Sequence, residues 1–234
     1  MSTTLAMHMQ NRQDAILALI LVGMIPTVSI LVSFGTDGGL FSQIAFVLFK
    51  LCLLLIPLYW HLKRDRNEWS WSKPENGGYS VAIGLGLGLS ALMLIVWFFV
   101  KDLLDYDILR DAVEPVGLLD WKLYVLGCLY WIFLNSLLEE YVYRWFLVVK
   151  SEIICVDEKY AIVLSAMIFV VHHSIALYFF GFPWWANLLA SIGLFIGGAI
   201  FSWLYLRYRS IWIPYITHAI CDVTVFGIGA LMLF

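Results

Sequence analysis

The chain has 234 residues, of which 62% are hydrophobic and only 13% are charged, and its formal net charge is −3. Its mean hydropathy of +0.88 lies outside the range of water-soluble globular domains. The slightly acidic balance, with no cluster of Lys and Arg, argues against a nucleic-acid partner.

Seven apolar segments are long enough to cross a bilayer, which takes about 20 residues in a helix. They lie at 15–34, 41–62, 79–100, 121–149, 159–180, 186–206 and 211–233. The connections are short except for 63–78 and 101–120, and neither of these looks like a folded domain. The sequence therefore predicts an all-α, polytopic membrane helical bundle. Residues 1–120 carry three helices without an assigned motif, and residues 121–234 carry the polar motifs.

Positive charges predict the orientation of this bundle, because Lys and Arg accumulate in cytoplasmic loops. Nine of them fall on the side of the N-terminus and three on the other, so we expect a cytoplasmic N-terminus. The nine are Arg12, Lys63, Arg64, Arg66, Lys73, Lys150, Lys159, Arg207 and Arg209, and the three are Lys101, Arg110 and Lys122. The acidic outer segment 101–120 is interpreted as a solvated connection that includes a short interfacial helix.

Besides Lys50 in the second segment, ionisable residues remain inside three of the apolar segments, although a charge at the centre of a bilayer costs about 2.5–3.5 kcal/mol or more. At about 1.5 Å of rise per residue, the residues of these three segments lie at comparable depths below the membrane surface on the side of the N-terminus. This agreement predicts a single polar site. The residues are Glu139, Glu140 and Arg144, then His172 and His173, then His218 and Asp222.

Helical spacing relates the charged residues of the fourth segment to each other. Residues four apart share a helix face, so Glu140 and Arg144 are expected to pair, with the glutamate in the favourable N-terminal position. Glu139 then lies on an adjacent face without a local cation.

The same spacing relates the histidines to their neighbours. His218 and Asp222 share a face, and His173 lies one turn after Phe169. We interpret His172 as a packing residue that points elsewhere. In the second segment, Lys50 is expected to reach the interface or to pair with a buried carboxylate.

Two glycine pairs have the spacing of close helix contacts. These pairs are Gly84-x-x-x-Gly88 and Gly193-x-x-x-Gly197. No strand precedes either pair, so neither is interpreted as a nucleotide-binding loop.

Three motifs in successive segments carry a family resemblance. They are Glu139-Glu140-x-x-x-Arg144, Phe169-x-x-x-His173 and His218-x-x-x-Asp222. In this order they resemble the motifs of the CPBP family, the CAAX-protease and bacteriocin-processing intramembrane endopeptidases, over about residues 120–230. Asp222 stands where CAAX-processing members usually have asparagine.

The resemblance implies hydrolysis of a peptide bond inside the membrane. Glu139 and His173 would activate the attacking water, and Glu140 and Arg144 would form a structural pair. Since an ionised aspartate cannot donate a hydrogen bond to an oxyanion, we assign that role to His218 and interpret Asp222 as its orienter or as a metal ligand.

A metal is the open chemical question at this stage. Carboxylates and histidines are good zinc ligands, which makes Glu139, His173, His218 and Asp222 the candidates. The H-E-x-x-H signature is absent, and the same residues would serve a glutamate mechanism without metal. We expect no obligatory metal, with zinc as the alternative.

The resemblance leaves the substrate class open between a prenylated protein, a bacteriocin leader peptide and other membrane-associated peptides. It implies a multi-pass protein in the lipid bilayer, and we expect the plasma membrane of a prokaryote. Two other function classes stay open. One is a catalytically silent scaffold or bacteriocin self-immunity protein, and the other is a proton-coupled transporter, which the lack of paired halves disfavours.

Overall fold

The computed structural model describes residues 3–36 and 39–234, with side chains described from residue 11 onward. Helices make up 86% of the described residues, which contain no strand. The helices, in chain order, are α1 Thr3–Gly35, α2 Leu40–Arg64, α3 Tyr79–Leu103, α4 Tyr106–Val113, α5 Trp121–Cys155, α6 Glu158–Phe179, α7 Trp184–Tyr208 and α8 Trp212–Leu233.

Within the described residues, seven of these helices are long and apolar enough to cross a membrane, as the sequence predicted. The eighth, α4, is the short helix expected in segment 101–120. Aspartates begin three helices by accepting hydrogen bonds from backbone N–H groups of the first turn: Asp105 for α4, Asp120 for α5 and Asp157 for α6. Part of the acidic character of segment 101–120 therefore serves helix capping.

Helix α5 is the centre of the bundle. Its residues Val142, Tyr143, Phe146 and Leu147 are buried against α1, α2 and α6. It runs for 35 residues, or about 50 Å, longer than the hydrocarbon core of about 30 Å. Over Tyr130–Asn135 and again over Glu140–Val148 its turns widen to π-helical geometry. Wide turns of this kind occur frequently at functional sites.

The outward faces of the helices are apolar. Leu51, Leu54 and Leu55 on α2 and Leu87 and Ile95 on α3 are exposed, although they are large hydrophobic side chains. Exposed apolar patches of this extent are rare on water-soluble monomers and suit contact with lipid. Together with the seven spans, they describe an integral, multi-pass membrane protein.

Contacts between α3 and α8 correct one expectation from the sequence. A Cβ atom at Gly84, Gly88 or Gly193 would meet nothing within 4 Å, so the two predicted glycine faces are not close helix contacts. The close approach is at Gly86 instead, where a Cβ would lie 3.0 Å from the side chain of Ile220. The spacing rule failed because the face that packs is set by the partner helix and not by the glycines alone.

Gly86→Val is expected to destabilise the protein by about 1–3 kcal/mol, because the added methyl groups overpack the α3–α8 contact. Gly84→Val is the matched control, since it makes the same change of helix propensity on the same helix in open space. Unfolding midpoints of the two variants in detergent micelles measure the difference. Equal midpoints would show that α3 and α8 do not approach closely at Gly86.

Candidate active site

Helices α5, α6 and α8 bring the predicted site residues together in the interior of the bundle. Glu139 comes from α5, His173 from α6, and His218 and Asp222 from α8. The Glu139 side chain is 14% exposed, Asp222 19% and His218 7%, so all three are largely removed from solvent. One mostly enclosed polar cluster therefore lies within an otherwise apolar bundle.

The Glu139 carboxylate has a different neighbour on each oxygen. Its Oε1 accepts a hydrogen bond of 2.7 Å from Asn135 Nδ2, one turn earlier on α5. Its Oε2 lies 3.7 Å from His218 Nε2. One oxygen is thus held by an amide, while the other faces the cluster.

His173 is oriented by its own helix. Its Nδ1–H donates to the carbonyl oxygen of Phe169 at 2.8 Å, which explains the four-residue spacing of this motif. A neutral imidazole that donates from Nδ1 has Nε2 as its free acceptor. His173 is therefore arranged to accept a proton or to bind a metal through Nε2.

His218 is oriented by Glu140 and not by Asp222. Its Nδ1–H donates to Glu140 Oε1 at 2.8 Å, whereas Asp222 Oδ1 is 3.7 Å from His218 Nε2. The interpretation of Asp222 as the orienter of His218 is therefore wrong, because a partner from another helix approaches closer than the one four residues away. Asp222 in turn accepts a hydrogen bond of 2.5 Å from Ser136.

The pairing expected between Glu140 and Arg144 is present, and both side chains are fully buried. Arg144 Nε is 3.3 Å from Glu140 Oε2. The guanidinium also contacts two aromatic rings from other helices, at 4.8 Å from the centroid of Phe169 and 5.4 Å from that of Phe201. Such cation–π contacts stabilise a buried charge that makes few other polar contacts.

His172 is a hydrogen-bonded packing residue, as the sequence predicted, but it lies beside Glu139 and His173 and does not point elsewhere. It is buried, and its Nδ1 is hydrogen-bonded to the hydroxyl of Tyr143 at 2.9 Å. A ring nitrogen of His172, one of His173 and a carboxylate oxygen of Glu139 lie within 4.8 Å of one another. The sequence already contained an indication of this arrangement, namely two adjacent histidines. Their side chains leave the helix in different directions and can both approach one carboxylate.

Lys50 and Asn135 are the other polar residues at the site. Lys50 Nζ donates to Asn135 Oδ1, and Asn135 donates onward to Glu139. The expected pairing of Lys50 with a carboxylate therefore takes an indirect form, through an amide. The sequence signal was a lysine inside an apolar helix.

Three side chains of the site are suited to hold a divalent metal, but they differ from the four candidates that the sequence predicted. Among the described residues, the group close enough to hold an ion is Glu139, His172 and His173, and it does not include His218 or Asp222. One carboxylate and two imidazoles match the three protein ligands of a catalytic zinc site. The hydrogen bond from His173 Nδ1 to a backbone carbonyl is the usual outer support of such a ligand.

The fold and the cluster define a class of protein, namely a helical membrane protein with an enclosed carboxylate and imidazole site. Comparison with known proteins narrows this class: residues 121–224 match the family model described as type II CAAX prenyl endopeptidase Rce1-like. This region holds all three motifs, and the match confirms the resemblance predicted from them. The match supports a CAAX-type intramembrane protease, which is a hydrolase. No curated protein and no solved structure gives a significant match to the chain.

Proposed function

We propose that this protein is an intramembrane endopeptidase of the CAAX-prenyl-protease type, in which Glu139 and His173 activate water. The observation that carries the proposal is the placement of Glu139 beside His173, whose free Nε2 is set by the Phe169 carbonyl. The motifs that supply these residues lie inside the region with the family match. A scaffold or self-immunity protein would not need this arrangement.

In the proposed reaction, Glu139 Oε2 takes a proton from a water molecule whose oxygen bonds to the carbonyl carbon of the peptide. His173 Nε2 accepts a hydrogen bond from the same water and holds it in place. When the C–N bond breaks, the proton on Glu139 passes to the leaving amine. The second proton of the water ionises from the new carboxyl group and also passes to the amine, so the products are a carboxylate and an ammonium group, and no other reactant is needed.

His218 is assigned to the oxyanion that forms on the carbonyl oxygen. With its Nδ1–H held by Glu140, His218 donates from Nε2 in the doubly protonated form, a charge complemented by the carboxylates of Glu139, Glu140 and Asp222. Donors fixed before the reaction stabilise such a charge without reorganisation. Asp222 serves this charge balance and is itself held by Ser136.

A bound divalent metal would be held by Glu139, His172 and His173 and would supply Lewis-acid polarisation of the peptide carbonyl. The steps assigned above to the protein's own side chains do not need it. Cleavage that persists after dialysis against a chelator is the expected result. Complete loss that is restored by zinc alone would instead give the three residues a ligand role.

The proposed substrate is a membrane-associated protein or peptide, either prenylated or a bacteriocin leader. We place the N-terminus in the cytoplasm because of the unequal distribution of positive charges. The proposed location is the plasma membrane of a prokaryote. Farnesylated, unprenylated and leader-type peptides, each incubated with the protein in liposomes and analysed by mass spectrometry, test the substrate class. Cleavage restricted to farnesylated peptides supports a prenylated substrate, cleavage restricted to leader peptides supports a bacteriocin leader, and cleavage of neither class would contradict the proposed substrate.

A further inference from the structure

Lys50 is an unusual residue for its position in the bundle. It lies ten residues after the start of α2 at Leu40, far from either end of that span. It also lies outside residues 121–224, the region with the family match. A lysine at such a depth is costly, so its presence calls for a partner that benefits from it.

The partner is Asn135, and the contact settles which way the amide of Asn135 faces. An ammonium group only donates hydrogen bonds, so the atom of Asn135 that meets Lys50 must be the oxygen. The NH₂ group then points to Glu139 Oε1, to which it donates at 2.7 Å. Without Lys50, the amide would be free to rotate and present its oxygen to the carboxylate, which is a repulsive arrangement.

We propose that Lys50 is a positioning residue for Glu139 and acts through Asn135. By fixing the amide, Lys50 ties down Oε1 of Glu139 and leaves Oε2 facing His218 Nε2 at 3.7 Å. The inference rests on the proposed function, in which Oε2 takes the proton from water. With this role for Lys50, α2 contributes to the active site although it carries no motif.

A packing role is the rival explanation for Lys50. Its ammonium also lies 5.3 Å from the centroid of the Phe46 ring on the same helix. A lysine that only packs there would tolerate replacement by methionine, which has a similar length and no charge. The two explanations therefore differ in what Lys50→Met does to Glu139.

The kinetic test compares cleavage by Lys50→Met, Lys50→Arg and the wild type in liposomes. We expect Lys50→Met to lower kcat by about 10- to 100-fold with little change in KM, because a misplaced base slows the chemistry and not the binding. Lys50→Arg, which also only donates, is expected to recover most of the rate. Adding Lys50→Met to Asn135→Leu should cost nothing further, since the lysine acts through the amide.

Lys150→Met is the matched control, because Lys150 is a buried lysine on α5 that pairs with Asp65 at 2.5 Å, away from the site. It should lower stability but leave kcat unchanged. An unaffected kcat in Lys50→Met, or the same loss in Lys50→Arg as in Lys50→Met, would overturn the inference.

A second readout does not depend on activity. In protein labelled with ¹⁵N-asparagine, the side-chain NH₂ resonances of Asn135 can be assigned by their loss in Asn135→Leu. We expect Lys50→Met and Glu139→Ala each to shift them, and Lys150→Met to leave them in place. If the wild type cleaves nothing, the proposed function fails, and these resonances still decide the inference: unshifted signals in Lys50→Met would overturn it.

Discussion

Glu139→Gln is expected to lower kcat for peptide cleavage by about 10²- to 10⁴-fold, the range that general-base catalysis contributes. The amide keeps the size of the side chain and an oxygen that can accept the hydrogen bond from Asn135, but it cannot take a proton from water. His173→Ala is expected to lower kcat similarly, because it removes the second group that holds the water. Initial rates with the purified protein in liposomes measure both effects.

The control for this loss is Glu152→Gln, a substitution of the same type on the same helix. Glu152 lies near the end of α5 and pairs with Arg209, which is exposed. Its replacement should leave kcat unchanged. If Glu139→Gln retained the wild-type rate, water activation would have to be assigned to another group.

Arg144→Met is expected to destabilise the protein by about 3–5 kcal/mol, the usual cost of breaking a buried ion pair. The substitution removes Arg144 from the fully buried Glu140 and leaves His218 as its remaining partner. It also removes the cation–π contacts with the rings of Phe169 and Phe201. Unfolding in mixed micelles, followed by loss of helical signal, measures the free energy of unfolding.

Arg209→Met provides the contrast, because Arg209 pairs with Glu152 through two hydrogen bonds at the surface. An exposed pair contributes only about 0–1 kcal/mol, so this variant should remain near wild-type stability. Combining Arg144→Met with Glu140→Gln should recover part of the loss, since the buried carboxylate that has lost its arginine is then replaced by a neutral amide. Equal stabilities of Arg144→Met and Arg209→Met would contradict the structural role of the Glu140–Arg144 pair.

The spans were predictable because bilayer thickness imposes a local rule on the sequence. Every predicted span is a helix, and the two largest errors are at the start of α1, predicted at residue 15 and found at Thr3, and at the end of α5, predicted at residue 149 and found at Cys155. Charges at Lys150 and Glu152 suggested an early end. In the structure, Lys150 forms an ion pair with Asp65 and Glu152 forms one with Arg209. Both partners are distant in sequence.

The site was predictable only where its contacts lie within one helix. The Glu140–Arg144 pair and the contact of His173 with Phe169 both follow from four-residue spacing. The bond between His218 and Glu140 joins residues 78 positions apart, so no local pattern indicates it. The π-helical turns of Glu140–Val148 add to the difficulty, because they alter the helical phase on which such spacing depends.

The contribution of α2 was the least predictable part of the site. Lys50 and Asn135 are 85 positions apart, and a lysine in a membrane helix has several plausible partners. Only the packing of α2 against α5 shows that an amide lies between Lys50 and Glu139.

The most direct test of the central claim is cleavage of a farnesylated peptide in H₂¹⁸O by wild type and Glu139→Gln in liposomes, followed by mass spectrometry. We predict that the wild type releases a product with one ¹⁸O in its new carboxylate and that Glu139→Gln releases almost none. Equal release by the two proteins would contradict the role of Glu139. No release by the wild type, while a CAAX protease of established activity cuts the same peptide, would contradict the assignment as a CAAX-type endopeptidase.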